Sequence, residues 1–182
     1  MQPVPLDAIR AFAAELMKAP WFAACGAPLG AADRALAQAY AAALEMPDLR
    51  LATAATWPEA AGIAQRPDWS RTWWEAEASA QRELTAEAER RFGSADLFAA
   101  LTSVTKAADA LFARAAEAMG RTGAADEALA RVAAGAAAQA CHQRALALAT
   151  DAGADHLFLA KFRLFAAGRW PLGIFGDRLY LL

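Results

Sequence analysis

Asp155-His-Leu-Phe-Leu-Ala-Lys-Phe-Arg-Leu-Phe-Ala-Ala-Gly-Arg-Trp-Pro-Leu-Gly-Ile-Phe-Gly-Asp-Arg-Leu-Tyr-Leu-Leu182 breaks with the alanine-rich chain that precedes it. Its first part keeps a helical period and stops at Gly168. Beyond that glycine, Leu172-Gly-Ile-Phe175 and Arg178-Leu-Tyr-Leu-Leu182 are short runs of strand-favouring residues. The Gly176-Asp177 pair between them suits a two-residue hairpin turn with glycine at the position that needs a positive φ. Such a turn places Phe175 opposite Arg178 and Ile174 opposite Leu179. An isolated two-stranded hairpin is marginal in water, so this one, spanning about 170–182, must pack on helices or meet further strands. The edge from Arg178 to Leu182 therefore needs a cover, supplied by the chain's own bundle, a second copy or another protein.

Upstream, the pattern predicts one helix after another. Asp7 can cap a first helix carrying Ile9, Phe12, Leu16 and Met17, stopped by Pro20. Leu36, Tyr40 and Leu44 share a face of a second helix that Pro47 ends. Thr56-Trp-Pro-Glu59 has the form of a capping box, with proline in the first turn where its missing donor costs nothing. A short helix to Gln65 should follow. Asp68 or Ser70 starts a longer helix through Trp73 and Leu84 to Phe92, with Gly93 as its stop. The stripe Leu97, Leu101, Val104, Ala108, Leu111, Ala115 and Met119 predicts a single helix from Ser94, laid against others. From Ala125 to Thr150 the face Leu129, Val132, Ala136, Ala140 and Leu146 is a narrow ridge that lets neighbours approach closely, which places this helix near the bundle centre. The last helix runs from Asp155 to Ala167. Glu87 with Arg91, Glu117 with Arg121, and Glu127 with Arg131 are i, i+4 pairs that mark solvent faces.

The fold expected is mainly α: one domain over residues 1–182, an irregular or orthogonal bundle of about six or seven helices, with the C-terminal β-hairpin packed on it. Alanine makes up about 30% of the chain and arginine outnumbers lysine about five to one. Both biases also follow from GC-rich coding, so the helices rest on periodicity and caps rather than on composition.

Composition bounds the function classes. A net charge of -2 offers no broad positive field for nucleic acid. The apolar stretch from Leu157 to Ala167 carries Lys161 and Arg163 and is too short to span a bilayer. Met1-Gln-Pro-Val-Pro-Leu-Asp-Ala-Ile-Arg10 has no basic segment ahead of an apolar run and does not read as a signal peptide. Cys25 and Cys141, the two cysteines, form neither a disulfide framework nor a zinc pattern. A cytoplasm of bacterial type is the expected location.

The catalytic inventory is thin. His142 and His156 are the two histidines. His142 follows Cys141 directly, and adjacent helix residues diverge by about 100°, so the two cannot act as base and nucleophile for each other. No Glu-x-x-His, His-Glu-x-x-His, P-loop, dinucleotide or Gly-x-Ser-x-Gly pattern occurs. Neither a catalytic residue nor a metal or cofactor is assigned from the sequence.

Tryptophan carries what signal remains. Trp57, Trp69, Trp73 and Trp74 lie close together in sequence with Glu59, Glu75 and Glu77, and indoles beside carboxylates can form a cage for a cationic or sugar-like ligand. The plainer reading packs Trp69 and Trp73 as one apolar patch on the core; Trp74 is turned about 100° from Trp73, so one of those two should border the surface. Arg169 and Trp170 suit recognition of another protein. Alternatively, Trp170 anchors the hairpin and Arg169 covers carbonyls at the end of the last helix.

The first expectation for function is a non-enzymatic protein that binds another protein, or that self-associates as a homodimer through the hairpin edge, with neither nucleic acid nor membrane as partner. The alternative is a small-molecule binder with a pocket around Trp57, Trp69, Trp73 and Trp74, its ligand oriented by Glu75 or Glu77. An enzyme using His142 or His156 comes third.

Overall fold

The computed structural model describes residues 5–182; residues 1–4, which belong to the N-terminal stretch read above, lie outside it. In chain order the elements are α1 (Pro5–Glu15) with a 3-10 turn at Leu16–Lys18, α2 (Ala31–Ala43), β1 (Arg50–Thr53), α3 (Trp57–Ala64) and α4 (Arg71–Phe92). There follow α5 (Ser94–Ala108), α6 (Leu111–Gly120), α7 (Glu127–Ala149), α8 (Leu157–Ala166), β2 (Pro171–Phe175) and β3 (Arg178–Leu181). The protein is a mainly α bundle with a small C-terminal sheet.

Helix starts follow local chemistry. The Thr56 hydroxyl accepts from the Glu59 amide at 3.3 Å, and Ser70 accepts from Trp73 at 3.2 Å. Asp126 caps α7 by accepting from Leu129 at 3.0 Å. His156 caps α8 through Nδ1, which accepts from the Phe158 amide at 3.2 Å. The i, i+4 pairs Glu87–Arg91, Glu117–Arg121 and Glu127–Arg131 all form on exposed surface.

α7 holds the middle, touching α1, α4, α5, α6 and α8. Ala130, Ala133, Ala137 and Ala140 are fully buried along it, and their small side chains let several helices share its flanks. The expected ridge is therefore rotated: Val132 is 53% exposed and Ala136 half-buried, while Ala133 and Ala137 take the interior. The helix expected from Ser94 to Met119 bends at Asp109–Ala110. There the Asp109 amide bonds Lys106, three residues back, and the expected single helix is interrupted into α5 and α6. The apolar stripe nonetheless continues inward across the bend, with Val104, Ala108, Leu111 and Ala115 all buried.

The hairpin forms in the predicted register, Phe175 opposite Arg178 and Ile174 opposite Leu179, with Gly176 at φ 58°. The sequence reading did not contain β1. Arg50–Thr53 pairs parallel with β3, so the strand order is β1-β3-β2 and β3 lies in the centre of the sheet. The edge from Arg178 to Leu181 is covered by the chain's own strand. Part of the outer edge of β2 is also occupied: Ser70 donates to the Ile174 carbonyl at 2.7 Å, and Gly176 donates to Asp68 at 3.1 Å. Ile174, Leu179 and Leu181 pack with Tyr40, Leu44 and Leu164 in a cluster beside the main core, so sheet, α2 and α8 stabilise one another.

Arg169 is buried, not displayed. Its guanidinium donates to the carbonyls of Ala24 and Ala27 at 2.6 Å and of Pro28 at 2.8 Å, and to Asp33 at 2.8 Å. It therefore covers carbonyls of the 24–28 loop rather than those of the last helix, and is closed off from any partner. Burial pushes the Asp33 carboxyl up, but the Arg169 guanidinium and the Gly30 amide outweigh it and hold the group below its ordinary 3.8. Gly168, at φ 83°, lets the same loop approach: a Cβ there would stand 2.9 Å from the Ala24 nitrogen and the Pro20 oxygen.

Candidate functional site

α4, α7, α8 and the start of β2 enclose a cleft of about 780 Å³. Trp73, Trp74, Phe165, Trp170 and Leu172 supply apolar wall, with Ala78, Val132 and Ala136 between them. Trp74, Arg82 and Glu89 are exposed and mark the mouth. The volume falls within the range of ordinary small-molecule sites, which combine apolar walls with a few placed polar groups.

The polar groups form one chain of hydrogen bonds along the cleft floor. Trp73 Nε1 donates to the Tyr40 hydroxyl at 2.9 Å, and Tyr40 donates in turn to Glu77 Oε1. From the other side Lys161 Nζ donates to Glu77 Oε2 at 2.7 Å and to Gln143 Oε1 at 3.3 Å. Gln143 Nε2 then donates to Gln81 Oε1 at 3.2 Å. Burial, followed by the nearby Glu77 charge, pushes the Tyr40 phenol well above its usual 10, so it stays a neutral O–H donor. Glu77 and Lys161 are both buried, and a desolvated ion pair of this kind persists only when further hydrogen bonds satisfy both ends. Here Tyr40 and Gln143 do so.

Local backbone geometry seats Trp73. Gly173 sits in the irregular step of the β2–β3 ladder at φ 134°, and a Cβ there would stand 2.8 Å from Cη2 of the Trp73 indole. Only a glycine lets that ring lie against the strand while its N–H reaches Tyr40.

The residues singled out from sequence separate clearly. Trp73, Trp74, Glu77 and Trp170 line the cleft. Trp69, 43% exposed, stands outside it with its ring edge-on to Trp74 at 6.3 Å. Trp57 is core: it is 1% exposed, packs between Phe22 and Trp170, and its buried N–H finds no partner among the described residues. Burial of Trp57 takes it out of any ligand cage. Glu75 is exposed and does not line the cleft, so the expected orienting role falls to Glu77 or to neither. Glu77 itself has both oxygens committed to Tyr40 and Lys161, which leaves no free carboxylate for a cationic ligand.

Tyr40, Gln81, Gln143 and Lys161 join the site only through the fold. Lys161 carried a readable signal, because Phe158, Lys161 and Phe165 fall at i, i+3 and i+7 on a buried face of α8. A lysine on such a face demands an acid, and Glu77 is the one it meets.

The histidines lie elsewhere. His156 Nδ1 is occupied by its capping bond, and burial lowers the affinity of the ring for a proton. His142, half-buried and likewise shifted down by burial, lines a second groove of about 490 Å³ with Glu89, Phe98 and Leu101. Burial pushes the thiols of Cys25 and Cys141 up to about 12, which keeps both protonated and unreactive at neutral pH. Among the described residues no group of three or more His, Cys, Asp or Glu stands close enough to hold a metal ion, and no helix is long and apolar enough to cross a membrane. Set against family models, curated proteins and solved structures, the chain matches none of them.

Proposed function

We propose that this chain is a small-molecule-binding protein whose ligand occupies the cleft between α4, α7 and α8. One observation carries the reading: a buried, hydrogen-bonded Glu77–Lys161 pair forms the floor of an aromatic-walled cleft of about 780 Å³. Desolvating an ion pair is costly, and a hydrophobic pair of the same volume is often as stable or more so. A charged pair retained beside an open cleft is more readily understood as a group that addresses a ligand than as a stabilising device.

The protein-interaction reading no longer has an open β3 edge or a displayed Arg169 to draw on, since β1 covers the one and the other is buried. The exposed Trp69–Trp74 pair stands at the mouth of the cleft and extends its aromatic wall. The unpaired thiols support a reducing compartment such as the cytoplasm.

The test is a thermal-shift screen of small planar and apolar compounds against the wild type and an Ala136→Trp variant, whose new indole occupies the cleft. Compounds that raise Tm in the wild type but not in the filled variant support the reading. A screen without stabilising compounds, or one in which both proteins respond alike, overturns it.

A further inference from the structure

From the hydrogen-bond inventory of the cleft we infer that its ligand is an aromatic or apolar compound ending in a carboxylate or similar planar oxyanion, held at the Lys161 end. The inference rests on the small-molecule reading above and adds the ligand's polar chemistry to it.

Around Glu77 the acceptors are taken and the donors are not. Tyr40 and Lys161 each donate to one oxygen of the Glu77 carboxylate. Lys161 carries three N–H donors, of which Glu77 and Gln143 receive two. Gln143 Nε2 carries two, and Gln81 receives one of them. Gln143 is fully buried and only holds the lysine in place, so the donor open to whatever enters is the remaining N–H of Lys161, which keeps a little exposed surface, and the complement of a donor is an acceptor oxygen.

Charge favours an ionised acceptor. Glu77 and Lys161 neutralise each other, and Arg82 lies about 7.5 Å farther along α4 at the helical rise. Arg90 and Arg91 pair with Glu87, while Arg82 enters no ion pair among the described residues. The opposing acid on the wall, Glu89, stands about 18 Å along the helix from Glu77. Arg82 is thus the unpaired charge of the cleft wall nearest Lys161, with Glu89 about 10.5 Å beyond it at the helical rise, and the arginine fork matches a carboxylate geometrically. Trp73 and the exposed Trp74 offer their rings to the body of the ligand, with the buried Phe165 and Trp170 backing the wall. This is the reverse of the cationic cage that tryptophans beside glutamates suggested.

The experiment titrates the intact protein calorimetrically with three probes of one shape: 2-naphthoate, 2-naphthalenemethanol and 2-naphthylmethylamine. At neutral pH the naphthoate should bind about tenfold or more tighter than the cationic amine, with the alcohol between them. Arg82→Gln changes an exposed residue and leaves the fold in place; it should narrow the acid-to-amine ratio by at least about threefold. Lys161→Met, measured below its unfolding transition, should abolish the preference. Equal affinities, a tighter amine, or an unchanged ratio in the Arg82→Gln protein would overturn the acid preference while leaving a binding cleft. Absence of binding by all three probes, or undiminished naphthoate binding by Ala136→Trp, would overturn the cleft reading itself.

Discussion

Replacing Lys161 with methionine probes the floor of the cleft most directly. The side chains of Lys161 and Glu77 are only 9% and 10% exposed, so water in the cleft replaces the ammonium only in part when it is removed. Glu77 would keep one donor, Tyr40, and Gln143 Oε1 would lose its partner. Breaking a buried pair by deleting one member costs about 3–5 kcal/mol, because an uncompensated charge is left behind. For a chain of this size each kcal/mol lowers Tm by about 2–4 °C, which places the Lys161→Met midpoint roughly 6–20 °C below wild type. Glu77→Gln should cost a similar amount by stranding the ammonium. The double variant Glu77→Gln/Lys161→Met removes both charges and keeps an amide oxygen for Tyr40, so it should recover at least about 2 kcal/mol relative to the sum of the single changes. Urea unfolding followed by circular dichroism measures all four proteins in one cycle. If the single changes each cost under about 1 kcal/mol and add within about 0.5 kcal/mol, the pair is solvated and coupled only weakly, and the account of the cleft floor is wrong.

Gly173→Ala should destabilise by about 1–3 kcal/mol, since φ 134° strains an alanine and its Cβ would meet the Trp73 ring; an unchanged urea midpoint and indole fluorescence would show that the strand adjusts. Deleting Pro171–Leu182 should prevent folding rather than alter oligomeric state. Ile174, Leu179 and Leu181 are buried, and at about 1.5–3 kcal/mol each their loss rivals a typical domain's total stability; a truncated chain with native-like circular dichroism and a cooperative melt would refute this. Burial lowers the proton affinity of His156 below its ordinary 6.5, so the unfolded chain takes up that proton first. Stability is complete above about pH 6.5 and declines as pH falls from there towards the folded-state value, with His142 acting in the same direction. His156→Asn keeps a capping acceptor without titrating in this range and should flatten the decline, a difference visible in Tm measured from pH 7.5 to pH 5. The fully buried thiol of Cys141, pushed up to about 12, should react with a thiol reagent at pH 8 only after denaturation, and the half-buried Cys25 slowly in the native state; rapid labelling of Cys141 in the native protein would contradict its burial.

What was legible in the sequence is what adjacent residues decide between themselves. Thr56 with Glu59, Ser70 with Trp73, and Gly176-Asp177 act over a few residues, so helix starts and the hairpin register could be read without knowing the fold. The apolar stripe from Leu97 to Met119 pointed inward as its period demanded, even across the bend at Asp109. Of the residues proposed for a site, Trp73, Trp74, Glu77 and Trp170 do line the cleft, with Trp74 at its surface and Trp170 behind it in the core.

Tertiary structure decided the rest, because it depends on partners far away in the chain. Arg50–Thr53 has little strand propensity of its own, and becomes a strand because β3, more than a hundred residues later, presents an open ladder of N–H and C=O groups to it. Trp57 and Arg169 looked available for recognition until the 20–30 loop, the sheet and α8 closed over them. Tyr40, Glu77, Gln143 and Lys161 come from four different helices, and none is a site residue alone. They become one only where packing excludes water and obliges each buried polar group to find another.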